Sequence, residues 1–301
     1  MTKLSAETTD PIVRRLRALM QDSPDLRDAA QVYEIILPLL RDVDLHVTPI
    51  ALTADQARGK LEMGLPLLHD VNLELDTTAT CDLMLQLACA LETAGEKSRP
   101  HQRGAAARQI RLALEDSPSD FSALLLHIAA DHGGPVAELA QSLQLDADLV
   151  RTLAQNALKP ALRVWRRQLA TFAEGIPWCK GYCYVCGAGA TLGELQENTQ
   201  VKHLRCGQCG ADWQFPRLQC MYCGNQDHNS LGYLYAESQP DKMRVEVCDQ
   251  CHGYLKVIAS FSPTPPELLA IEDLATLHLD YIAQQRGYAR VAVKPLIPFV
   301  S

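Results

Sequence analysis

The chain has 301 residues, of which 47% are apolar and 21% charged, as in an ordinary folded protein, and this length allows two domains. Its formal net charge of −8 argues against a general nucleic-acid or anionic-membrane binder, because such proteins depend on positive charge for their affinity. No apolar run reaches the roughly 20 residues of a membrane span, so we expect no such span.

The first residues carry no pattern of an export signal. Residues 1–20 contain neither an apolar core nor a cleavage site built from small residues. Arg14 and Arg15 form a twin arginine, but charged residues with helical spacing follow it. We therefore expect a cytoplasmic protein.

Residues 1–177 are predicted to form a helical bundle domain. Asp10 followed by Pro11 is a typical helix start, and apolar residues with helical spacing recur as far as about residue 173. Pro38 interrupts one of these patterns and is expected to kink or split that helix. Gly175-Ile176-Pro177 then ends the domain.

Eight of the eleven cysteines form four C-x-x-C pairs. Two thiolates three positions apart can bind one ion from a tight turn, and two such turns supply the four sulfurs of a tetrahedral zinc or iron site. Four pairs so close together predict two metal sites. The predicted ligands are Cys183, Cys186, Cys206, Cys209, Cys220, Cys223, Cys248 and Cys251.

Sequential grouping is the simplest arrangement of these ligands. It places the first two pairs in one site and the last two pairs in the other, since neighbouring elements usually pack together. An interleaved grouping, first pair with third and second with fourth, is the alternative. A closed four-cysteine shell leaves no open coordination position, so we expect at least a partly structural role.

The residue after each pair bears on the shape of the turn. Gly187, Gly210 and Gly224 follow three of the pairs, and glycine readily adopts the positive φ that lets backbone N–H groups point at the sulfurs. His252 follows the fourth pair. We expect that turn to differ slightly.

Other interpretations of the cysteines fit the sequence less well. An odd number of cysteines without an export signal disfavours a disulfide framework. Cys248 to His252 matches the C-x-x-C-H pattern of c-type haem attachment, but such attachment takes place outside the cytoplasm. Cys81 and Cys89 are expected to be buried core residues and Cys179 an inert thiol.

The composition changes after residue 177. Ten of the seventeen aromatic residues lie within 178–261, and large side chains together with metal allow small β modules to close a core. We predict an α+β fold, in which the helical domain is followed by two tandem rubredoxin-like or zinc-ribbon modules and a C-terminal helix. The predicted modules span 178–217 and 218–261, and 262–301 holds one helix (about 267–286) and a tail. The short strands are predicted at 200–204, 232–236, 244–247 and 254–259.

The charge of the cysteine-rich region disfavours a nucleic-acid reader. Residues 178–261 contain seven Lys and Arg against eight Asp and Glu. Two divalent ions, each bound by four thiolates, would bring its charge to about −5. A zinc-ribbon nucleic-acid-binding protein is therefore only a further alternative.

The cysteine motifs, together with Asp212-Trp213 and Gly287-Tyr288-Ala289-Arg290, resemble the formate dehydrogenase accessory protein family, FdhE. The resemblance covers about residues 180–295, and Tyr184 stands where relatives often have proline. The motifs that carry it are Cys183-Tyr-Val-Cys186-Gly187, His203-Leu-Arg-Cys206-Gly-Gln-Cys209, Cys220-Met-Tyr-Cys223 and Glu246-Val-Cys248-Asp-Gln-Cys251-His-Gly-Tyr254.

The resemblance implies a cytoplasmic, non-catalytic maturation factor, similar to a chaperone. Such a factor binds the catalytic subunit of respiratory formate dehydrogenase before export. The resemblance also implies iron at the eight cysteines, two ions per chain, with zinc as the alternative. A small iron electron carrier or a thiol-disulfide redox protein is the alternative function, and the oligomeric state is left open.

Overall fold

The computed structural model describes residues 10–43, 45–97, 102–129, 134–196, 201–235 and 242–290. Short 3₁₀ helices cover Pro24–Leu26 and Ala170–Ala173. The α-helices before the sheet are α1 (Pro11–Asp22), α2 (Arg27–Asp42), α3 (Ala54–Glu62), α4 (Thr77–Lys97), α5 (Gln102–Asp116), α6 (Pro118–Ala129), α7 (Gly134–Ser142) and α8 (Ala147–Leu169). The later elements are β1 (Leu192–Gln196), β2 (Val201–Arg205), β3 (Asp212–Gln214), β4 (Leu231–Leu234), β5 (Met243–Cys248), β6 (Tyr254–Ser260), α9 (Leu269–Ala275) and α10 (Leu277–Gln285).

The chain divides into two compact units. One lies within residues 1–50 and 70–168, and the other within 51–69 and 169–301. This division differs from the predicted boundary at residue 177, because α3 and the loop after it belong to the second unit. Helix α3 has the same kind of pattern as its neighbours in sequence, so this assignment could not be predicted from sequence.

The first unit is helical, as predicted. The Asp10 side chain accepts the Ile12 N–H at 2.9 Å and caps α1, which explains the start of that helix. Phe121 and Trp165 are buried in this unit, and the Trp165 indole donates to the Thr48 carbonyl at 3.1 Å.

The structure narrows one expectation for this unit and corrects another. Helix α2 continues through Pro38 and is not split, because the flanking Leu37 and Leu40 are both buried and packing outweighs the missing hydrogen bond. Cys81 is buried, but Cys89 is exposed. Eight residues along a helix correspond to a rotation of about 80° beyond two full turns, so the two cysteines do not share the buried face.

The second unit contains one six-stranded sheet with strand order β3-β2-β1-β6-β5-β4. All neighbouring strands are antiparallel except β1 and β6, which pair in parallel with Gly193 opposite Val257. The predicted modules 178–217 and 218–261 thus each contribute three strands, and the β1–β6 pair joins them. Strands β1 and β3 were not predicted, and Gln200 and Ala236, at the ends of two predicted strands, lie outside the described residues.

The C-terminal helices pack on the second half of this sheet. Leu279 and Ala283 of α10 are buried against Val245, Val247 and Tyr254. The single helix predicted over 267–286 is two helices, α9 and α10, with Thr276 between them. The predicted tail beyond Arg290 lies outside the described residues. Within the described part of the chain, every helix is too short or too polar to span a membrane.

Candidate metal centres

Each C-x-x-C pair forms a tight turn that is closed by backbone hydrogen bonds. In the first turn, the Cys183 N–H donates to Ala188 at 2.8 Å and the Gly187 N–H to Cys183 at 3.0 Å. The pairs at 206–209 and 220–223 repeat this pattern. Two sulfurs therefore face the same point from one turn.

The residue after each pair adopts a positive φ in all four turns. The φ angle is 77° at Gly187, 78° at Gly210, 74° at Gly224 and 53° at His252. The prediction for the three glycines is confirmed. The fourth turn differs slightly, as expected. Its φ is the smallest of the four, and its Cys248 N–H donates to the Gly253 carbonyl at 3.1 Å, the longest of the corresponding bonds. Histidine is among the residues that can enter the left-handed region.

The first candidate centre brings together the sulfurs of Cys183, Cys186, Cys206 and Cys209. All four Sγ atoms lie within 4.8 Å of one another. The closest pairs join different turns, with 3.5 Å between Cys183 and Cys209 and 3.6 Å between Cys186 and Cys206. The first turn precedes β1, and the second connects β2 to β3.

The second candidate centre has the same construction. The sulfurs of Cys220, Cys223, Cys248 and Cys251 lie within 4.8 Å of one another. Cys220 and Cys251 are 3.6 Å apart, and Cys223 and Cys248 are 3.7 Å apart. The sequential grouping is therefore confirmed, and the interleaved grouping is wrong.

These distances fit a tetrahedral ion and exclude disulfides. A disulfide has an S–S distance of about 2.05 Å. Four sulfurs around one ion at about 2.3 Å form a tetrahedron with edges of about 3.8 Å, close to the separations seen here. Four thiolates suit iron and zinc equally, so the donor set is compatible with either ion.

Polar groups near the sulfurs support their negative charge. The Val185 N–H points at the Cys183 sulfur at 3.3 Å, and the Asn225 side-chain amide at the Cys248 sulfur at 3.6 Å. Asn225 was missed in the sequence, because an asparagine two residues after a C-x-x-C pair also suits an ordinary turn.

The pKa of one thiol in each group, Cys206 and Cys248, lies below its usual value. Hydrogen bonds from Cys183 and the other thiols hold the pKa of Cys206 well below its usual value. Burial raises the pKa of Cys248, but N–H groups of Cys251 and Asn225 outweigh it and lower that pKa to about 7. Burial raises the pKa of Cys183 well above its usual value. A bound cation would favour loss of the Cys183 proton, because metal binding requires the thiolate.

The first centre is enclosed by segments from elsewhere in the chain. Cys183, Cys206 and Cys209 are 0% exposed. The Leu67 and Leu68 N–H groups donate to the carbonyls of Tyr184 and Val185, at 2.8 and 2.9 Å, so this segment lies across the first turn. On another side, a Cβ atom on Gly210 would lie 2.5 Å from Pro266, which covers the second turn.

A buried ion pair holds this cover in place. Glu194 on β1 accepts from the Arg205 guanidinium at 2.5 Å, and Arg205 donates to the Thr264 carbonyl at 2.6 Å. Glu194 is 0% and Arg205 2% exposed. Sequence reasoning missed this pair, since charged residues in a short strand are ordinarily on the solvent face.

The second centre is more open. Cys223 is exposed and Cys251 partly exposed, whereas Cys220 and Cys248 are buried. A Cβ atom on Gly224 would approach nothing closer than Gln219, at 3.9 Å. The turn that carries Cys223 therefore faces solvent.

A groove of about 780 Å³ lies beside the first centre. Trp213 and Phe215, in and just after β3, line one part of it, and Trp178 lines another. Strand β3 is at the edge of the sheet, and its pairing with β2 directs the main-chain groups of Asp212 and Gln214 outward. An extended peptide could therefore pair with this edge as a further strand.

The comparisons with known proteins point to a single family. Residues 218–297 match the family model described as FdhE, C-terminal domain. The protein FdhE homolog of Aquifex aeolicus is 29% identical over 60% of this chain and 72% of its own length. The homolog of Shewanella oneidensis is 27% identical over 94% of this chain and 86% of its own length.

One further relative matches over a shorter stretch, and one crystal structure matches over nearly the whole chain. The FdhE homolog of Stutzerimonas stutzeri is 35% identical over 38% of each chain. The crystal structure of the FdhE protein from Pseudomonas aeruginosa superposes with a TM-score of 0.59 at 23% identity, covering 96% of this chain and 94% of the other. That superposition shows a shared fold.

Proposed function

Because the chain belongs to the FdhE family, we propose that it is a cytoplasmic maturation factor for respiratory formate dehydrogenase. In this proposal it binds the catalytic subunit before export. The observation that carries the proposal is the pair of closed four-sulfur groups within a chain of this family. It acts as a binding protein and not as an enzyme.

The closed shell supports a non-catalytic role. Each proposed ion would be bound by four protein sulfurs, which leaves no open position for a substrate. We propose that the eight cysteines bind two ions per chain, and that these are iron, with zinc as the alternative. The bound ions would cross-link the turns, and iron would also supply a one-electron couple.

The sheet explains how two small sites can support one recognition surface. The parallel β1–β6 pair joins the strands next to the first centre to those next to the second. Loss of either ion would therefore loosen a structure that both halves share, because the binding energy of a structural ion contributes directly to folding.

We place the contact with the partner at the groove beside the first centre. The outward main-chain groups of Asp212 and Gln214 suit an extended segment, and the groove beside them provides the space for it. The occupant we propose is an extended segment of the formate dehydrogenase catalytic subunit.

A pull-down experiment tests the proposed function. The immobilised full-length protein is mixed with the catalytic subunit of a formate dehydrogenase, and retention is measured. We expect Cys206→Ser and Cys248→Ser each to lower metal content by one ion and to weaken retention. Cys179→Ser and Cys89→Ser are controls, since both cysteines are exposed and lie outside the two groups. Full retention by a properly folded chain without metal would refute the docking role.

A second candidate function is that of a small iron electron carrier. The exposure of Cys223 favours it, because a bound iron ion would then lie close to the protein surface. A zinc-loaded protein separates the two functions, because zinc cannot change its oxidation state. If zinc-loaded protein supports formate dehydrogenase maturation as well as iron-loaded protein, electron transfer is excluded.

A further inference from the structure

We propose that the two centres differ in lability, with the second as the exchangeable metal site and Cys223 as its point of entry. The first centre retains its ion under the same conditions. This inference rests on the proposed binding of two ions, and it assigns a separate role to each centre.

Burial of the ligands is the first argument. Three sulfurs of the first group belong to residues that are 0% exposed, and only Cys186 is partly exposed. In the second group, Cys223 is exposed and Cys251 partly exposed. A chelator or a thiol reagent therefore reaches the second group without any rearrangement of the chain.

The cover over the turns is the second argument. The Leu67–Leu68 segment is hydrogen-bonded across the first turn, and Pro266 lies against Gly210 in the second turn. Glu194 and Arg205 secure the segment before Pro266 through the main chain of Thr264. To expose the first centre, these contacts must open, and that opening costs free energy.

The Cys223–Gly224 end of the corresponding turn in the second centre has no comparable cover. A Cβ atom on Gly224 would approach only the end of the Gln219 side chain, at 3.9 Å. When the Cys223 sulfur leaves the ion, it can swing into solvent while Cys220 and Cys248 stay buried. An incoming ligand can then take its place.

Ligand exchange leaves the overall charge and electrons balanced. The bond between the ion and Cys223 would break, and a nitrogen or oxygen of the chelator would form the new bond. The released thiolate would take a proton from the buffer acid, whose conjugate base then carries the charge. Further exchanges at Cys251 and the remaining ligands complete the transfer. No oxidant or reductant is required.

The test is a metal-release assay on the full-length protein loaded with two equivalents of zinc. The chain carries Cys89→Ser and Cys179→Ser, so that exposed cysteines outside the sites do not react. EDTA is added in excess, and the zinc remaining on the protein is measured over time. We expect one equivalent in a fast phase and one at least about tenfold slower, a ratio that corresponds to about 1.4 kcal/mol of activation free energy.

Two matched variants assign the phases. Cys223→Ser should remove the fast equivalent and leave the slow one. Cys186→Ser is its counterpart in the first group, at the same position of its pair, and should remove the slow equivalent. Alkylation with iodoacetamide followed by mass spectrometry checks the assignment without any variant at the sites, and Cys223 should react first among the eight ligands.

Three results would overturn the inference. Release of both equivalents at one rate would remove the difference between the centres while leaving the proposed two-ion binding intact. Alkylation of any cysteine of the first group ahead of Cys223 would reverse the assignment. A folded protein that binds no zinc or iron would remove the inference together with the metal part of the proposed function.

Discussion

The backbone at Gly181 is in direct contact with the carbonyl of Met221. A Cβ atom on Gly181 would lie only 1.9 Å from that oxygen. Gly181 lies two residues before the first ligand of the first centre, and Met221 directly follows the first ligand of the second. The two centres therefore meet through main-chain atoms, and a side chain between them has no room.

Gly181→Ala should destabilise both centres. The methyl group would force the two turns apart, and overpacking of this kind costs about 1–3 kcal/mol. Unfolding by denaturant, with zinc content measured in parallel, gives the change. The control is Gly59→Ala in α3, where a Cβ atom meets nothing within 4 Å and the helix gains up to about 1 kcal/mol. Equal stability of the two variants would contradict the contact.

Two glycines with nearly equal φ should respond differently to alanine. Gly224→Ala adds only the strain of a left-handed residue, about 1 kcal/mol, because the space around it is open. Gly210→Ala adds the same strain and also a clash with Pro266, because the new Cβ atom would lie 2.5 Å from it. We therefore expect this variant to lose about 1–3 kcal/mol more of its free energy of unfolding. Urea unfolding of the two zinc-loaded variants compares them directly. If Gly224→Ala costs as much as Gly210→Ala, Pro266 does not cover the first centre.

Asp273 should make stability depend on pH. Burial alone would raise its pKa, but Lys256 and Arg290 hold it below the usual 3.8. The Lys256 Nζ atom is 2.8 Å from Oδ1 of this carboxylate, and the Lys256 side chain is 0% exposed. The pKa of Asp273 is lower in the folded chain than in the unfolded chain. The ionised Asp273 carboxylate therefore stabilises the fold fully above pH 3.8, and this stabilisation is lost as the pH falls through the folded-state pKa.

Asp273→Asn is the variant that tests this dependence. The free energy of unfolding is measured for both proteins between about pH 6 and pH 3. We expect the advantage of the native chain to shrink toward the acid end. Protonation of the cysteines affects both proteins alike and cancels in the difference. An advantage that is constant over this range would show that Asp273 keeps its ordinary pKa.

Gln214→Pro should weaken partner binding without loss of metal. The outward N–H of Gln214 is available to an added strand, and proline removes it while remaining acceptable on an edge strand. The loss of one hydrogen bond at such an edge corresponds to about 0.5–1.5 kcal/mol. Gln214→Ala, which keeps the N–H, is the control in the same pull-down. Equal retention of the two variants would move the partner contact away from β3.

The local part of the candidate sites could be predicted from sequence. The spacing of Cys206 and Cys209 fixes two sulfurs on one turn, and Gly210 supplies the positive φ. The order of the four pairs along the chain favoured the sequential grouping, because consecutive elements usually pack together, and the sulfur positions decided against the interleaved one. Strand β1 was not found, since its five residues are all buried and show no alternation of apolar and polar side chains.

The sequence by itself determined the eight candidate ligands and the α+β class and favoured the sequential grouping, because these depend on residues close together in the chain. Only the tertiary structure decided the parallel pairing of β1 with β6, the place of residues 51–69 and the unequal exposure of the two centres. The unequal exposure arises because Leu67 and Pro266 contact turns that are distant from them in sequence, and because Glu194 binds the main chain of Thr264. Such contacts leave no periodic pattern in the chain, since they depend on how the whole unit packs.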